Sequence, residues 1–431
     1  MKKVCILGQG YIGLPTALMF ANHDVKVVGV DVNEQVIRTL SSGALHIEEP
    51  GLKEYFVQAL QSGNLSFSLA VEEADAFIIT VPTPFYHDDL GEHHGQAYKK
   101  ADMRFVISAT EMILPHLKPG NLVVLESTSP PRTTAELVLP ILERSGLRAG
   151  ADFSLVYCPE RVLPGQILKE LVENARVVGG ITPASARAGR ELYASFVTGE
   201  IYLTDATTAE MVKLMENTYR DVNIAIANQF SRLADRFGVD VWEAISLANR
   251  HPRVKILNPG PGVGGHCISV DPWFFVEAAP DLASLIYTAR KVNDAQPQFV
   301  VDLAQRKLGV LKGKRIAALG LSYKPDVDDF RESPALEVAL KLFDLGCEVR
   351  AFDPFAKTLV MPGVFQADSL SEALDGADLM ILLVDHAEFK SLNPQSCLGM
   401  QARQVLDTRH CLDKALWQQA GFELALLGGK A

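Results

Sequence analysis

Apolar residues along this chain form two alternating strand-and-helix series separated by a long uninterrupted helical stretch. Val4–Leu7 is a short apolar run that stops at Gly8, and Leu14–Ala21 follows with an apolar helical pattern. Val25–Val30 is again strand-like and ends on Asp31. Further apolar runs at Ala76–Val81, Leu122–Glu126 and Ser154–Cys158 each break into polar, proline-containing loops. From Ala206 to Phe237 there is neither glycine nor proline, enough for about nine turns of helix, with Asp205 and Thr207 as candidate N-caps and Gly238 as the stop. The opening pattern then returns. Arg315–Leu319 halts at Gly320, Pro334–Leu345 is helical, Glu348–Phe352 ends on Asp353, and Leu379–Val384 and Val405–Leu406 complete the series.

This alternation predicts an α/β chain with two Rossmann-like, doubly wound domains joined by a central helical domain. The expected divisions are residues 1–204, 205–300 and 301–431. Composition agrees: 431 residues, 48% hydrophobic and 22% charged, suit a soluble enzyme of two or three domains. A net charge of −11 argues against nonspecific nucleic-acid binding. It does not exclude a small anion, because glycine loops and helix N-termini bind phosphate on acidic proteins too. Met1-Lys-Lys leads straight into the first strand, and no apolar run approaches the roughly 18 residues of a membrane span, so neither a signal peptide nor a membrane anchor is expected. Six cysteines at 5, 158, 267, 347, 397 and 411 lack disulfide or CxxC spacing, which points to a reducing cytoplasm.

The first chemistry-bearing motif is Gly8-Gln-Gly10-Tyr-Ile-Gly13, placed between strand and helix, with Asp31 eighteen residues beyond Gly13. The three glycines allow a tight turn, close approach of a pyrophosphate and close helix–strand packing. Asp31 would accept hydrogen bonds from an adenosine ribose and repel a 2′-phosphate, favouring NAD over NADP. Thr83 and Thr128 lie just past two later strands, where ligands of open sheets sit. Between them, Phe85–Lys100 is polar and carries His87, Asp88, Asp89, Glu92, His93 and His94, but without strong metal-ligand spacing. It is expected to be a solvated loop, and no metal site is expected. Glu160 and Arg161, between Pro159 and Gly165, mark another candidate ligand-facing loop.

On the long helix, Lys213 and Asn217 share a face, and its apolar circumference suggests packing against the helix of a second copy. His251 and Arg253 precede the stretch Asn258–Pro272, whose glycines and prolines frame Cys267 and Asp271. The last third mirrors the first but lacks G-x-G-x-x-G, so it is expected to hold the nucleotide of a substrate rather than a second dinucleotide.

The segments GQGYIGLP, VPTPF, ESTSP, YCPERVLPG, EMVKLMENTYRDVNIA, NRHPRVKILNPGPGVGGHCISVDPWF and YKPDVDDFRESP resemble the nucleotide-sugar 6-dehydrogenase family, the relatives of UDP-glucose dehydrogenase. CPERVLPG and the stretch from His251 to Phe274 are most similar to its UDP-N-acetyl-D-mannosamine branch. Gln9 departs from the apolar residue usual there, at a position expected to matter little for binding. The resemblance implies a four-electron oxidation of a sugar C6 alcohol to a carboxylate with two NAD and one water, for surface polysaccharide synthesis. It implies Cys267 as nucleophile, Lys213 and Asn217 as acid/base and oxyanion partners, and Asp271 or Glu160 positioning the hydrolytic water. It carries over Tyr11, Ile12, Asp31, Thr83, Thr128 and Arg331 as cofactor contacts. Arg161, Val162, Lys213, Asn217, Arg220, His251, Arg253, Gly264, Tyr323 and Lys324 carry over as substrate contacts. It further implies a homodimer whose active site is completed across the interface, with Arg331, His251 and Arg253 crossing it. UDP-N-acetylglucosamine or UDP-glucose are the alternative substrates. A two-electron hydroxy-acid dehydrogenase needs no second nucleotide domain, and a non-catalytic NAD-binding protein would not need the set Cys267, Lys213, Asn217 and Asp271.

Overall fold

The computed structural model describes residues 1–356 and 359–430, apart from the side chain of His87. The chain divides into two compact units, residues 1–216 with 273–282 and residues 217–272 with 283–431.

In the first unit the strands are Lys3–Leu7 (β1), Lys26–Val30 (β2), Leu65–Ser68 (β3), Ala76–Ile79 (β4), Phe85–His93 (β5), Gln96–Ala101 (β6), Leu122–Leu125 (β7), Ser154–Tyr157 (β8), Arg176–Gly180 (β9) and Ile201–Asp205 (β10). Eight of them form one sheet in the order β10-β9-β8-β7-β4-β1-β2-β3. From β3 to β8 all pairs are parallel, and Leu7, Ile79, Leu125 and Tyr157 lie level across four neighbours. The expected strands ran on to Val81, Glu126 and Cys158. They stop one or two residues sooner because the chain must turn away at one common carboxyl edge, and this edge presents the candidate ligand residues. The alternating partner at the far side, β9, pairs antiparallel with β8 and parallel with β10. Apolar side chains from both faces of this sheet are buried under the flanking helices.

The polar stretch expected as a solvated loop is instead a hairpin of β5 and β6. His94 and Gly95 both take positive φ, 49° and 75°, the two-residue turn whose twist suits a hairpin. Its polarity hid it, because neither face is buried enough to impose an apolar alternation.

The second unit contains Arg315–Leu319 (β11), Glu348–Phe352 (β12), Phe365–Gln366 (β13), Leu379–Leu382 (β14), Gln404–Asp407 (β15) and Glu423–Leu426 (β16). They form one parallel sheet in the order β13-β12-β11-β14-β15-β16, a second doubly wound arrangement.

The long helix runs from Ala206 to Phe237 as expected. Asp205 caps it by accepting the Thr208 N–H and hydroxyl at 2.9 and 2.6 Å. Gly238, at φ 66°, ends it while the Val239 N–H closes back on the Ala234 carbonyl. Within the second unit, buried Asp221 on this helix holds Arg290 at 2.5 Å and Asn293 at 2.8 Å. Asn228 bonds Asn293 and accepts the Gly260 N–H, both at 2.9 Å, so polar side chains of the helix tether the start of the cysteine stretch. No helix among the described residues is long and apolar enough to cross a membrane.

Candidate active site

The glycines of the first unit have three distinct duties. Gly8 has φ 94°, and a Cβ there would meet the Thr80 carbonyl oxygen at 2.8 Å. A Cβ on Gly13 would lie 1.8 Å from the Gly8 carbonyl oxygen, so helix and turn touch backbone to backbone. Beside Gly10 there is nothing within 4 Å, an open approach of the kind a pyrophosphate needs. The helix Gly13–Ala21 has no side-chain N-cap, and its Leu14 N–H closes on the Gly10 carbonyl at 3.1 Å. Asp31 accepts one backbone N–H per oxygen, from Gln9 and Asn33, each at 2.9 Å, and keeps lone pairs for a ribose. These residues fit NAD. Tyr11 is exposed and Ile12 half-buried at the same turn.

Two residues that sequence reasoning passed over hold this edge together. Thr80 donates to the Leu7 and Gly8 carbonyls, and Ser127 to the Val81 carbonyl, so the loops bearing Thr83 and Thr128 are knotted to the glycine turn. Both threonines are half-buried. Gln9 turns inward rather than toward a ligand: its amide donates to the Ile6 and Gly8 carbonyls and it is fully buried.

Glu160 belongs to a buried cluster with no local sequence signature. Arg176 on β9 pairs with Glu160 at 2.7 Å and lies 3.7 Å from Glu126, whose carboxylate accepts the Tyr193 hydroxyl. One guanidinium thus faces two carboxylates. Burial pushes the Glu126 carboxyl up to about 7, against the pull of Arg176 and with the push of Glu160, and its second oxygen has no hydrogen-bond partner. Arg176 thus binds Glu160 directly, while Glu126 is the carboxyl whose protonated form burial favours. Because the folded value lies above the ordinary 4.5, the stability tied to Glu126 is full below pH 4.5 and is lost as the pH rises through about 7. Glu126→Gln should therefore flatten the fall in melting temperature across that window; an unchanged slope would refute the assignment. Arg161 is held by protein partners in this structure. It bonds Glu216 at 2.7 Å and the Ala175 carbonyl. Val162 packs half-buried against the core of this unit, and Lys213 is buried on the long helix.

In the second unit, Asn217, one turn beyond Lys213, donates to Asp271 at 2.5 Å. The Asp271 and Val270 N–H groups both donate to the Cys267 carbonyl, at 2.8 and 3.0 Å, folding the nucleophile candidate and the carboxylate into one turn. Gly264 and Gly265 are required: a Cβ would strike the Glu332 carbonyl at 2.4 Å in the first and the Tyr323 ring at 2.6 Å in the second, where φ is 83°. The Gly265 N–H donates to the Arg331 carbonyl at 3.0 Å. The Arg331 guanidinium grips Asp329 with two bonds, at 2.9 and 2.6 Å, instead of standing alone as a cofactor contact. Burial opposes ionisation of Asp329, but the Arg331 bonds and charge, with a smaller contribution from His266, hold it below its ordinary value. Burial, then Asp329 and Cys267, push the Tyr323 phenol up, while Arg331 and Arg220 pull it down. Tyr323, Cys267, Asp329, Arg331 and Arg220 are thus one electrostatic neighbourhood. Lys324 is half-buried beside Tyr323, whereas His251 and Arg253 are exposed.

Cys267 is half-exposed, and the His266 Nδ1 lies 3.0 Å from its Sγ. Sequence reasoning missed His266, although it adjoins the cysteine. The other five thiols are unsuited to nucleophilic work: burial pushes Cys5 and Cys347 up to about 11 and Cys158, Cys397 and Cys411 up to about 12.

The second sheet's counterpart of Asp31 is Asp353, and it is fully engaged. It accepts N–H groups from Leu321, Ser322 and Phe355 at 2.6, 3.0 and 2.8 Å and contacts the His386 Nε2 at 3.0 Å. His386 in turn accepts the Asp326 N–H at 2.9 Å, bracing the loop of Tyr323 and Lys324. The acid that would grip a ribose in a dinucleotide site here holds the loop instead.

Known proteins share this arrangement. The UDP-glucose/GDP-mannose dehydrogenase family matches in three parts: its NAD binding domain over residues 2–197, its central domain over 207–295 and its UDP binding domain over 317–414. The UDP-N-acetyl-D-mannosamine dehydrogenase of Methanococcus maripaludis is 48% identical, covering 100% of this chain and 98% of that protein. The NDP-N-acetyl-D-galactosaminuronic acid dehydrogenase of Ralstonia solanacearum is 46% identical over 95% of this chain and 96% of its own length. Among solved structures, the UDP-D-ManNAc dehydrogenase from Pyrococcus horikoshii superposes with a TM-score of 0.89 at 41% identity, covering 99% of both chains. Such identity across the whole length means that the chain belongs to the UDP-glucose/GDP-mannose dehydrogenase family and is an NAD-dependent oxidoreductase acting on UDP-sugars.

Proposed function

We propose that the protein oxidises the C6 alcohol of UDP-N-acetyl-D-mannosamine to the carboxylate, in a four-electron reaction using two NAD and one water, in the cytoplasm and for surface polysaccharide synthesis. The observation that carries this reading is the turn in which Cys267, Asp271 and Asn217 are hydrogen-bonded together, on a loop whose glycines leave room for no side chain. Gly8, Gly10, Tyr11, Ile12, Gly13, Asp31, Thr83 and Thr128 would hold NAD, which when bound would supply the hydride acceptor for each oxidation.

The residues of the chain do the rest. Lys213 takes the alcohol proton in the first oxidation. The Cys267 thiolate adds to the resulting aldehyde, because a bare aldehyde has no oxyanion to expel a second hydride. Lys213 and Asn217 stabilise that oxyanion. The thioester left by the second oxidation is hydrolysed by a water that Asp271 or Glu160 orients. The Asn217 bond to Asp271 and the Arg176 pair with Glu160 both support such fixed carboxylates. Arg161, Val162, Arg220, Gly264, Tyr323 and Lys324 are assigned to the UDP-sugar, and the braced 322–326 loop supports the last two.

A homodimer accounts for the exposed stripe Met211, Met215, Tyr219, Ile226, Phe230 and Phe237 along the long helix, apolar surface that favours burial. His251, Arg253 and Arg331 then serve the partner's site. Divisions at 1–204, 205–300 and 301–431 are supported by the three matched family segments. The 46% identical galactosaminuronate relative supports a second reading, in which another UDP-N-acetylhexosamine is preferred.

The test is NADH formed per UDP-sugar over mannosamine, glucosamine, galactosamine and glucose forms. Two NADH per UDP-N-acetylmannosamine are expected. A yield of one would sink the four-electron mechanism, and preference for another sugar would change the substrate alone.

A further inference from the structure

We propose that His266 is a catalytic residue, the acid–base partner of Cys267. The inference deepens the reading above and rests on it for the identity of the aldehyde, but not for the pairing itself. The His266 Nδ1 lies 3.0 Å from Cys267 Sγ, within direct proton-transfer reach. Three constraints hold the loop on which both sit. The Tyr323 ring packs under Gly265, the Arg331 carbonyl accepts the Gly265 N–H, and the Ser269 hydroxyl donates to the Gly265 carbonyl. The contact is therefore part of a fixed turn.

The surroundings suit a histidine that gains and loses a proton. In the second unit Asp329 is coupled to His266 and Tyr323 to Cys267, Arg331 acts on both Asp329 and Tyr323, Arg220 acts on Tyr323, and Asp271 is on the following turn. Asp329 is the carboxylate that His266 acts on, and the Arg331 guanidinium binds the same carboxylate through two hydrogen bonds.

The step balances as follows. Neutral His266 Nδ1 accepts the Sγ–H proton, leaving a thiolate lone pair and an imidazolium. That lone pair forms the S–C6 bond as the carbonyl π pair moves to oxygen. The oxygen takes the proton back from Nδ1, giving a thiohemiacetal and neutral imidazole. No electrons are gained or lost, so no oxidant is needed until the hydride transfer that follows. Lys213 is then left to the alcohol proton and the oxyanion, and thiol activation is a separate duty.

Alkylation of the intact protein by iodoacetamide, read at Cys267 by peptide mass, tests the pairing without sugar or NAD. The other five thiols, four buried and Cys411 half-buried, all raised by burial, should remain largely unlabelled, which isolates the signal. Wild-type labelling should show an inflection below the ordinary thiol value of about 8.5. His266→Gln should slow labelling at neutral pH by roughly tenfold and move the inflection back toward that value. Added imidazole should restore labelling in His266→Ala. An unchanged rate and inflection in His266→Gln, or a shift caused by Lys213→Met alone, would overturn the proposal. If the His266 variants do not fold, a wild-type inflection in the ordinary thiol range overturns it equally. Normal pairing in a protein that oxidises no UDP-sugar would instead count against the proposed function.

Discussion

Cys267→Ala is expected to abolish uronate formation, lowering kcat by roughly 10³-fold or more, as removal of a covalent nucleophile does in other enzymes. NAD affinity should be unchanged, because Cys267 is not among the residues assigned to the cofactor. The effect should fall on the second oxidation. Lys213 still takes the alcohol proton, so the variant should release one NADH and stall at the aldehyde level. Single-turnover measurement of NADH against aldehyde and uronate would show this. Full uronate production would return Cys267 to the status of the other five thiols. Folding should be little affected, since Cys267 is only half-buried and its carbonyl, not its side chain, accepts the two turn hydrogen bonds.

The second large effect separates two glycines that look alike in sequence. Gly13→Ala places a methyl 1.8 Å from the Gly8 carbonyl oxygen and 2.5 Å from the Thr80 hydroxyl, so backbone must move at the turn that meets the pyrophosphate. A strain of about 3 kcal/mol is expected, with a marked loss of melting temperature and at least a hundredfold loss of NAD affinity. Gly10→Ala meets nothing within 4 Å, so its melting temperature should match wild type while NAD binding still weakens, because the new methyl occupies the ligand's approach. Calorimetry with NAD and thermal melts on both variants distinguish the two. Equal melting temperatures for both would show that the turn relaxes without cost.

Much of the site was legible because it lies in short local motifs. Gly8, Gly10, Gly13 and Asp31 are readable from strand–turn–helix spacing, and the limits of the long helix from the run without glycine or proline between Asp205 and Gly238. Cys267 and Asp271 stood out because glycine and proline crowd around them. The hairpin at β5 and β6 was not legible, since its residues are polar on both faces and its turn signal is a bare His-Gly pair. Arg176 was invisible too: an arginine entering a strand reads as a surface residue until burial puts it between Glu160 and Glu126.

By itself the sequence determined two doubly wound halves, a helix between them, one dinucleotide turn and one cysteine on a rigid loop. These follow from backbone preferences and apolar periodicity, which act over a few residues. Tertiary structure alone decided which acid keeps lone pairs for a ligand and which is fully engaged. Asp31 and Asp353 end equivalent strands, yet Asp353 is consumed by Leu321, Ser322, Phe355 and His386, the last thirty-three residues away. It likewise decided that burial raises the Glu126 carboxyl while Glu160 pairs with Arg176, and that Arg161 pairs with Glu216 fifty-five residues on. Hydrogen-bond partners and desolvation are set by what folding brings near, and no local pattern encodes them.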